Sequence, residues 1–192
     1  MGKYNEKDND DYLLKHNLFG IDSHEELEKA ETLSFSLRAT ALEQGDYTID
    51  SFTLKGFQDL HRYLFQDIYP FAGKFRDVQL MKGNTRFCQV QFLNNIAIDL
   101  FRELNEEPFW NSLEEAADRL AYFKSELNML HSFREGNGRT IRIFIHAYAL
   151  ARGIEWAYET IDREKYMQAM IQSVVDLGAL RKMLLETIQF IE

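Results

Sequence analysis

Apolar residues recur at three- and four-residue steps over Leu113, Ala116, Leu120, Phe123, Leu127 and Leu130, stop, and resume over Ile141, Phe144, Ile145 and Tyr148. That interrupted stripe constrains the chain more than any other feature. It predicts two amphipathic helices joined by a short loop, with two glycines at the start of the second. The interruption itself reads His131-Ser132-Phe133-Arg134-Glu135-Gly136-Asn137-Gly138-Arg139-Thr140-Ile141-Arg142.

The residue types in that segment belong to an anion site with a base beside it. A histidine near its ordinary pKa is largely neutral at pH 7 and can accept a proton, whereas arginines stay charged and bind anions. Exposed N–H groups and the positive end of a helix favour phosphate at the start of the second helix, and glycine lets the main chain approach it. Arg139 and Arg142 are three apart and share a helix face, within reach of one polyphosphate. Glu135 would repel that ligand unless a cation lay between them, so it reads as a Mg²⁺ ligand. Phe133 reads as an anchor in the core that turns His131 outward.

The segment resembles the signature of the Fic family of nucleotidyl transferases, His-Pro-Phe-x-(Asp/Glu)-Gly-Asn-Gly-Arg-x-x-Arg, with Ser132 where proline is usual. The stretch from Leu60 to Arg76 is similar to the helix and loop that precede the signature in that family, and Lys82-Gly83-Asn84-Thr85-Arg86-Phe87 looks like its flap. Asn17-Leu18-Phe19-Gly20-Ile21, followed by a Glu-rich helix, resembles the bacterial toxin subgroup silenced by a small separate antitoxin.

The resemblance implies a protein adenylyltransferase that moves AMP from ATP to a Tyr, Thr or Ser hydroxyl of a target protein. His131 would take the hydroxyl proton. Gly136, Asn137, Gly138, Arg139 and Arg142 would bind the nucleotide, with Asn137 on the α-phosphate and Arg142 reaching the γ-phosphate. Lys82, Gly83 and Phe87 of the flap would dock an extended target segment by strand addition. B subunits of type II topoisomerases are the first candidate targets and a host GTPase the second. A kinase-like branch carries lysine at Gly138, so glycine there favours AMP transfer; UMP, phosphocholine or phosphoryl transfer, or a non-catalytic helical binding module, are the alternatives.

Control is expected from outside. Many family members are inhibited by a glutamate from a (Ser/Thr)-x-x-x-Glu-(Gly/Asn) helix that pairs with the second signature arginine. The nearest approximation, Thr160 to Glu164, is followed by Lys165. Arg142 is therefore expected to have no inhibitory partner within the chain, and an antitoxin docking near the 24–44 helix to supply one.

The rest of the sequence predicts an all-α fold in a single domain spanning 1–192, with an N-terminal arm at 1–20 and a β-hairpin flap at 78–92. Helices are expected near 24–44, 52–67, 93–105, 113–130, 138–152, 162–171 and 176–190. Leu27, Ala30, Leu33, Leu37 and Ala41 form the buried stripe of the first, and Leu177, Leu180, Leu184, Ile188 and Ile191 that of the last. His16, His24, His61 and His146 have no partner at ligand spacing and read as surface or packing residues. The net charge of −9 disfavours nonspecific nucleic-acid binding. The lone Cys88 forms no internal disulfide, and no apolar run suits a signal peptide or membrane span, which points to the cytoplasm or delivery into a host cytosol. Met1-Gly2 does not open a myristoylation motif, because Glu6 stands where Ser or Thr is needed.

Overall fold

The computed structural model describes residues 7–191. The reading of Met1-Gly2 and Glu6, and the first six residues of the 1–20 arm, lie outside them. Helices run over Lys7–Lys15 (α1), His24–Glu43 (α2), Leu54–Phe65 (α3), Leu93–Glu106 (α4), Leu113–Leu130 (α5), Asn137–Ala151 (α6), Arg163–Gln172 (α7) and Gly178–Leu185 (α8). Two short antiparallel pairs complete the fold: Met81–Lys82 (β1) with Thr85–Arg86 (β2), and Ile154–Trp156 (β3) with Ile188–Phe190 (β4). The architecture is mainly helical, as the sequence predicts. No helix among the described residues is long and apolar enough to cross a membrane.

The core is built where the interrupted stripe said it would be. Leu120, Phe123 and Leu127 of α5 and Phe144, Ile145 and Tyr148 of α6 are buried, and α3, α4 and α8 close around them with Phe57, Leu60, Phe101, Leu104, Leu180 and Leu184. Phe57 stands at the centre, its ring 5.3 Å from Phe101, 5.3 Å from Phe133 and 5.1 Å from Phe144. Offset and edge contacts of this kind add to the area they bury, so the loop residue Phe133 is fixed by the same cluster that holds α3 to α6. Helix α5 begins at Ser112, whose side chain accepts the Glu115 N–H.

Four expectations are corrected. Helix α1 lies inside what the sequence suggested was only an arm. In α2, Leu27 is buried but Leu33 and Leu37 are 63% and 65% exposed, because α2 packs on α3 through one face and nothing described covers the other. The last helix ends at Leu185: the Thr187 hydroxyl turns back to the Met183 carbonyl, and Ile188–Phe190 leaves the helix to pair with β3. Ile188 is buried as expected, but from a strand, while Ile191 is exposed.

The flap is also a smaller hairpin than 78–92 suggests. Only Met81↔Arg86 and Lys82↔Thr85 are paired, around Gly83 at φ +58°, and 90–92 forms a 3-10 turn. Beyond these pairs one backbone bond follows, from the Phe87 N–H to the Leu80 carbonyl, and side chains supply the other bonds. Arg76 donates to the Val78 and Cys88 carbonyls, and Gln79 to the Leu80 and Phe87 carbonyls.

Candidate active site

The loop between α5 and α6 carries His131 at its start and Gly136 at its end. His131 is the C-cap of α5 at φ +46°, the only non-glycine residue with positive φ among those described. A left-handed histidine costs roughly 1–2 kcal/mol and persists only where its surroundings impose it. Arg76 imposes it here: its side chain donates to the carbonyls of Leu130 and His131, and its backbone N–H donates to the Ser132 carbonyl.

Two further side chains brace the same loop. The Asn137 amide makes a reciprocal pair with Phe133, accepting its N–H at 2.8 Å and donating to its carbonyl at 2.7 Å. Buried His61 lies 3.7 Å above the Phe133 ring, accepts the Gly73 N–H through Nδ1 and therefore donates from Nε2 to the Glu135 carbonyl. Arg134 extends the bracing outward. It bonds Asn9 of α1 in both directions, pairs with Asp77, and lies 3.7 Å over the Tyr12 ring.

His131 is placed as a base. Its Nδ1 faces the Asn128 carbonyl at 3.1 Å, and a carbonyl only accepts, so Nδ1 carries the proton and Nε2 the lone pair. Phe87 from the flap stacks flat on the imidazole, centroids 3.7 Å apart. Burial beneath that ring pushes the His131 pKa down to about 3, although the Asn128 contact and the Glu135 charge pull it up. Burial likewise pushes His61 down to about 4.

Those two depressed values set a pH dependence. The unfolded chain takes up protons on its histidines near pH 6.5, and the fold keeps these two neutral, so the stability they contribute is complete above about pH 6.5 and is lost as pH falls towards 4 and 3. Denaturant unfolding between pH 7 and 5 is expected to lose a few kcal/mol of stability, with a slope shallower by roughly one proton in the His61→Gln variant.

Gly136 is the N-cap of α6 at φ +78°, where a Cβ would fall 2.3 Å from Cζ of Phe65. Replacing it by alanine combines an unfavourable backbone with overpacking against a buried ring. A loss of about 2–4 kcal/mol is expected in denaturant unfolding. Gly138 differs. Nothing lies within 4 Å of where its Cβ would be, so the first turn of α6, whose leading N–H groups have no intrahelical partner, is open at that point.

Glu135 is buried, and its Oε1 accepts the Gly136 N–H at 2.8 Å and lies 3.4 Å from Arg139. Arg139 pairs with Glu31 of α2. Arg142 lies 5.6 Å from the Tyr158 ring centroid, its Nε buried without a hydrogen-bond partner, and no carboxylate pairs with it among the described residues. The structure therefore gathers His131, Glu135, Gly136, Asn137, Gly138, Arg139 and Arg142 on one loop and one helix. Lys82 and Gly83 sit at the exposed tip of the flap, whereas Phe87 is turned inward on His131. Sequence reasoning missed Arg76, His61 and Glu31. Each acts through a contact more than fifty residues distant in sequence, which no local pattern reports.

Comparison with known proteins gives a consistent answer. The Fic/DOC family profile matches residues 51–149. Protein adenylyltransferase VbhT of Bartonella schoenbuchensis is 34% identical over 181 residues, which cover 90% of this chain but only 37% of VbhT. The probable protein adenylyltransferase Fic of Escherichia coli is 33% identical over 171 residues, covering 88% of this chain and 84% of that protein. In fold, the chain is similar to the crystal structure of the BepC protein of Bartonella tribocorum with bound AMPPNP, at TM-score 0.79 and 18% identity over 92% of each chain.

Proposed function

We propose that His131 is the general base of this chain, which belongs to the Fic/DOC family and is a protein adenylyltransferase. The reaction moves AMP from ATP to a Tyr, Thr or Ser hydroxyl of a target protein. The observation that carries this reading is the fixed tautomer of His131, with its lone pair on Nε2 one loop away from an open, glycine-bearing helix start. The hydroxyl attacks the α-phosphorus, Nε2 takes its proton, and pyrophosphate departs towards the arginines.

Each neighbour has a stated part. N–H groups of Gly138 and its neighbours hold phosphate oxygens at the helix start. Asn137 keeps the loop in shape through Phe133, and Arg139 and Arg142 neutralise the polyphosphate. One buried carboxylate beside a phosphate site suits Mg²⁺, which is commonly held by one or two carboxylates together with substrate phosphates. Glu135 would hold it, and the ion would supply charge neutralisation to the leaving pyrophosphate. The nucleotide's own charge raises the His131 pKa towards a useful range once it binds.

The flap docks the target. The exposed flap tip at Lys82 and Gly83 lies where an extended segment would approach for strand addition. ATP labelled at the α or the γ position, incubated with the chain and a lysate containing targets, tests the reaction. Retention of the α label alone supports AMP transfer, and retention of the γ label contradicts it.

Control by an antitoxin in trans belongs to the same reading. Arg142 has no carboxylate partner among the described residues, and the exposed Leu33 and Leu37 give α2 an apolar face for a partner helix. Expression of the chain alone is expected to arrest growth, and co-expression with its genomic neighbours to relieve it. A chain harmless alone and activated by replacing Glu164 would contradict this.

A further inference from the structure

We propose that Glu31 of α2 is a positioning residue for Arg139, holding its guanidinium in the orientation that receives the nucleotide's outer phosphates. The inference rests on the adenylyltransferase reading. Glu31 and its neighbour Phe35 both lie outside residues 51–149, the part of the chain that the family profile matches.

A carboxylate on a helix face ordinarily points to water. That of Glu31 is 11% exposed, which is costly unless its oxygens are satisfied. Both are. Oε1 pairs with Nη2 of Arg139, and Oε2 accepts the Tyr69 hydroxyl at 2.5 Å. Burial and the Glu31 charge both push the Tyr69 phenol up, so it stays a donor. Tyr69 in turn is fixed by α3, its N–H bonding the Phe65 carbonyl.

Aromatic rings complete the socket. The Arg139 guanidinium carbon lies 4.9 Å from the centroid of Phe35 and 4.8 Å from that of Phe65, two rings that stack on each other at 5.8 Å. Glu135 approaches the same nitrogen, Nη2, at 3.4 Å. Both carboxylates therefore meet one nitrogen, and the hydrogen bonds of Arg139 among the described residues leave the donors of Nε and Nη1 for an anion. An arginine already held in one rotamer loses less freedom on binding than one that must be ordered by its ligand. The charge of Glu31 opposes phosphate binding, and its orientation of the fork favours it. The double bracing by Tyr69 and the ring pair points to orientation as the larger effect.

Calorimetric titration of the purified chain with ATP and with AMP tests this, because AMP lacks the outer phosphates. Glu31→Ala is expected to weaken ATP binding about tenfold and AMP binding less than about twofold, and Tyr69→Phe to weaken ATP binding by a smaller factor in the same sense. In an Arg139→Ala background, Glu31→Ala should cause no further loss. A role confined to folding would weaken both nucleotides alike, and that result overturns the proposal. So does unchanged or tighter ATP binding in Glu31→Ala. Should Glu31→Ala fail to fold, Tyr69→Phe decides alone, since it removes a single oxygen. An unaltered chain that binds no ATP would bring down the adenylyltransferase reading together with this one; ATP binding by the unaltered chain, with none lost in the variants, would overturn the role of Glu31 alone.

Discussion

Replacing His131 by alanine is expected to lower AMP transfer by about 10²–10⁴-fold while ATP still binds. The two outcomes separate because base and phosphate site sit on different elements. His131 caps α5, and the glycines and arginines belong to α6. General-base catalysis contributes to the barrier and little to ground-state affinity, so the loss should fall on kcat with ATP affinity nearly unchanged. Single-turnover transfer of α-labelled ATP alongside an ATP titration measures both.

Arg76→Ala is the largest structural loss expected, about 3–5 kcal/mol. The residue is 3% exposed, and its side chain donates to carbonyls from three separate segments: His131 and Leu130 at the end of α5, Val78 before the flap and Cys88 after it. Truncation leaves these acceptors buried without the fork and frees His131 from its left-handed conformation. Lysine should not rescue, because three donors on a point charge cannot reproduce a planar fork. Thermal unfolding measures the stability loss. In whatever fraction still folds, transfer should fall further than ATP affinity, because Arg76 holds the base and not the phosphate site.

The site was legible in the sequence to the extent that its chemistry is local. His131 to Arg142 lie within one loop and one helical turn, so residue type and helix start suffice to suggest base, metal ligand and anion site. Helices α4, α5 and α6 were equally plain, because strong apolar stripes stop at turn residues, and the observed ends differ from the expected ones by at most one residue. The bracing was not legible. Arg76 stands out only as the end of a stretch similar to the family, His61 as a surface or packing residue and Glu31 as one residue of a Glu-rich helix, until the fold brings each against the loop or Arg139.

The remaining differences have similar causes. Helix α1 is short and charged, and its place depends on Asn9 and Tyr12 meeting Arg134. Ile188 belongs equally to a helical stripe and to a strand, and pairing with β3 decides it. Leu33 and Leu37 keep helical spacing with Leu27 and Ala30, yet face outward. Spacing alone cannot separate a stripe meant for the core from one left for a partner.

Intact-mass analysis of target proteins recovered after incubation with the chain and ATP tests the central claim most directly. A gain of one AMP on a Tyr, Thr or Ser residue is predicted with the unaltered chain, and with His131→Ala the same product formed about 10²–10⁴-fold more slowly. A gain of a phosphoryl group, or an AMP gain formed as fast by His131→Ala as by the unaltered chain, would contradict it.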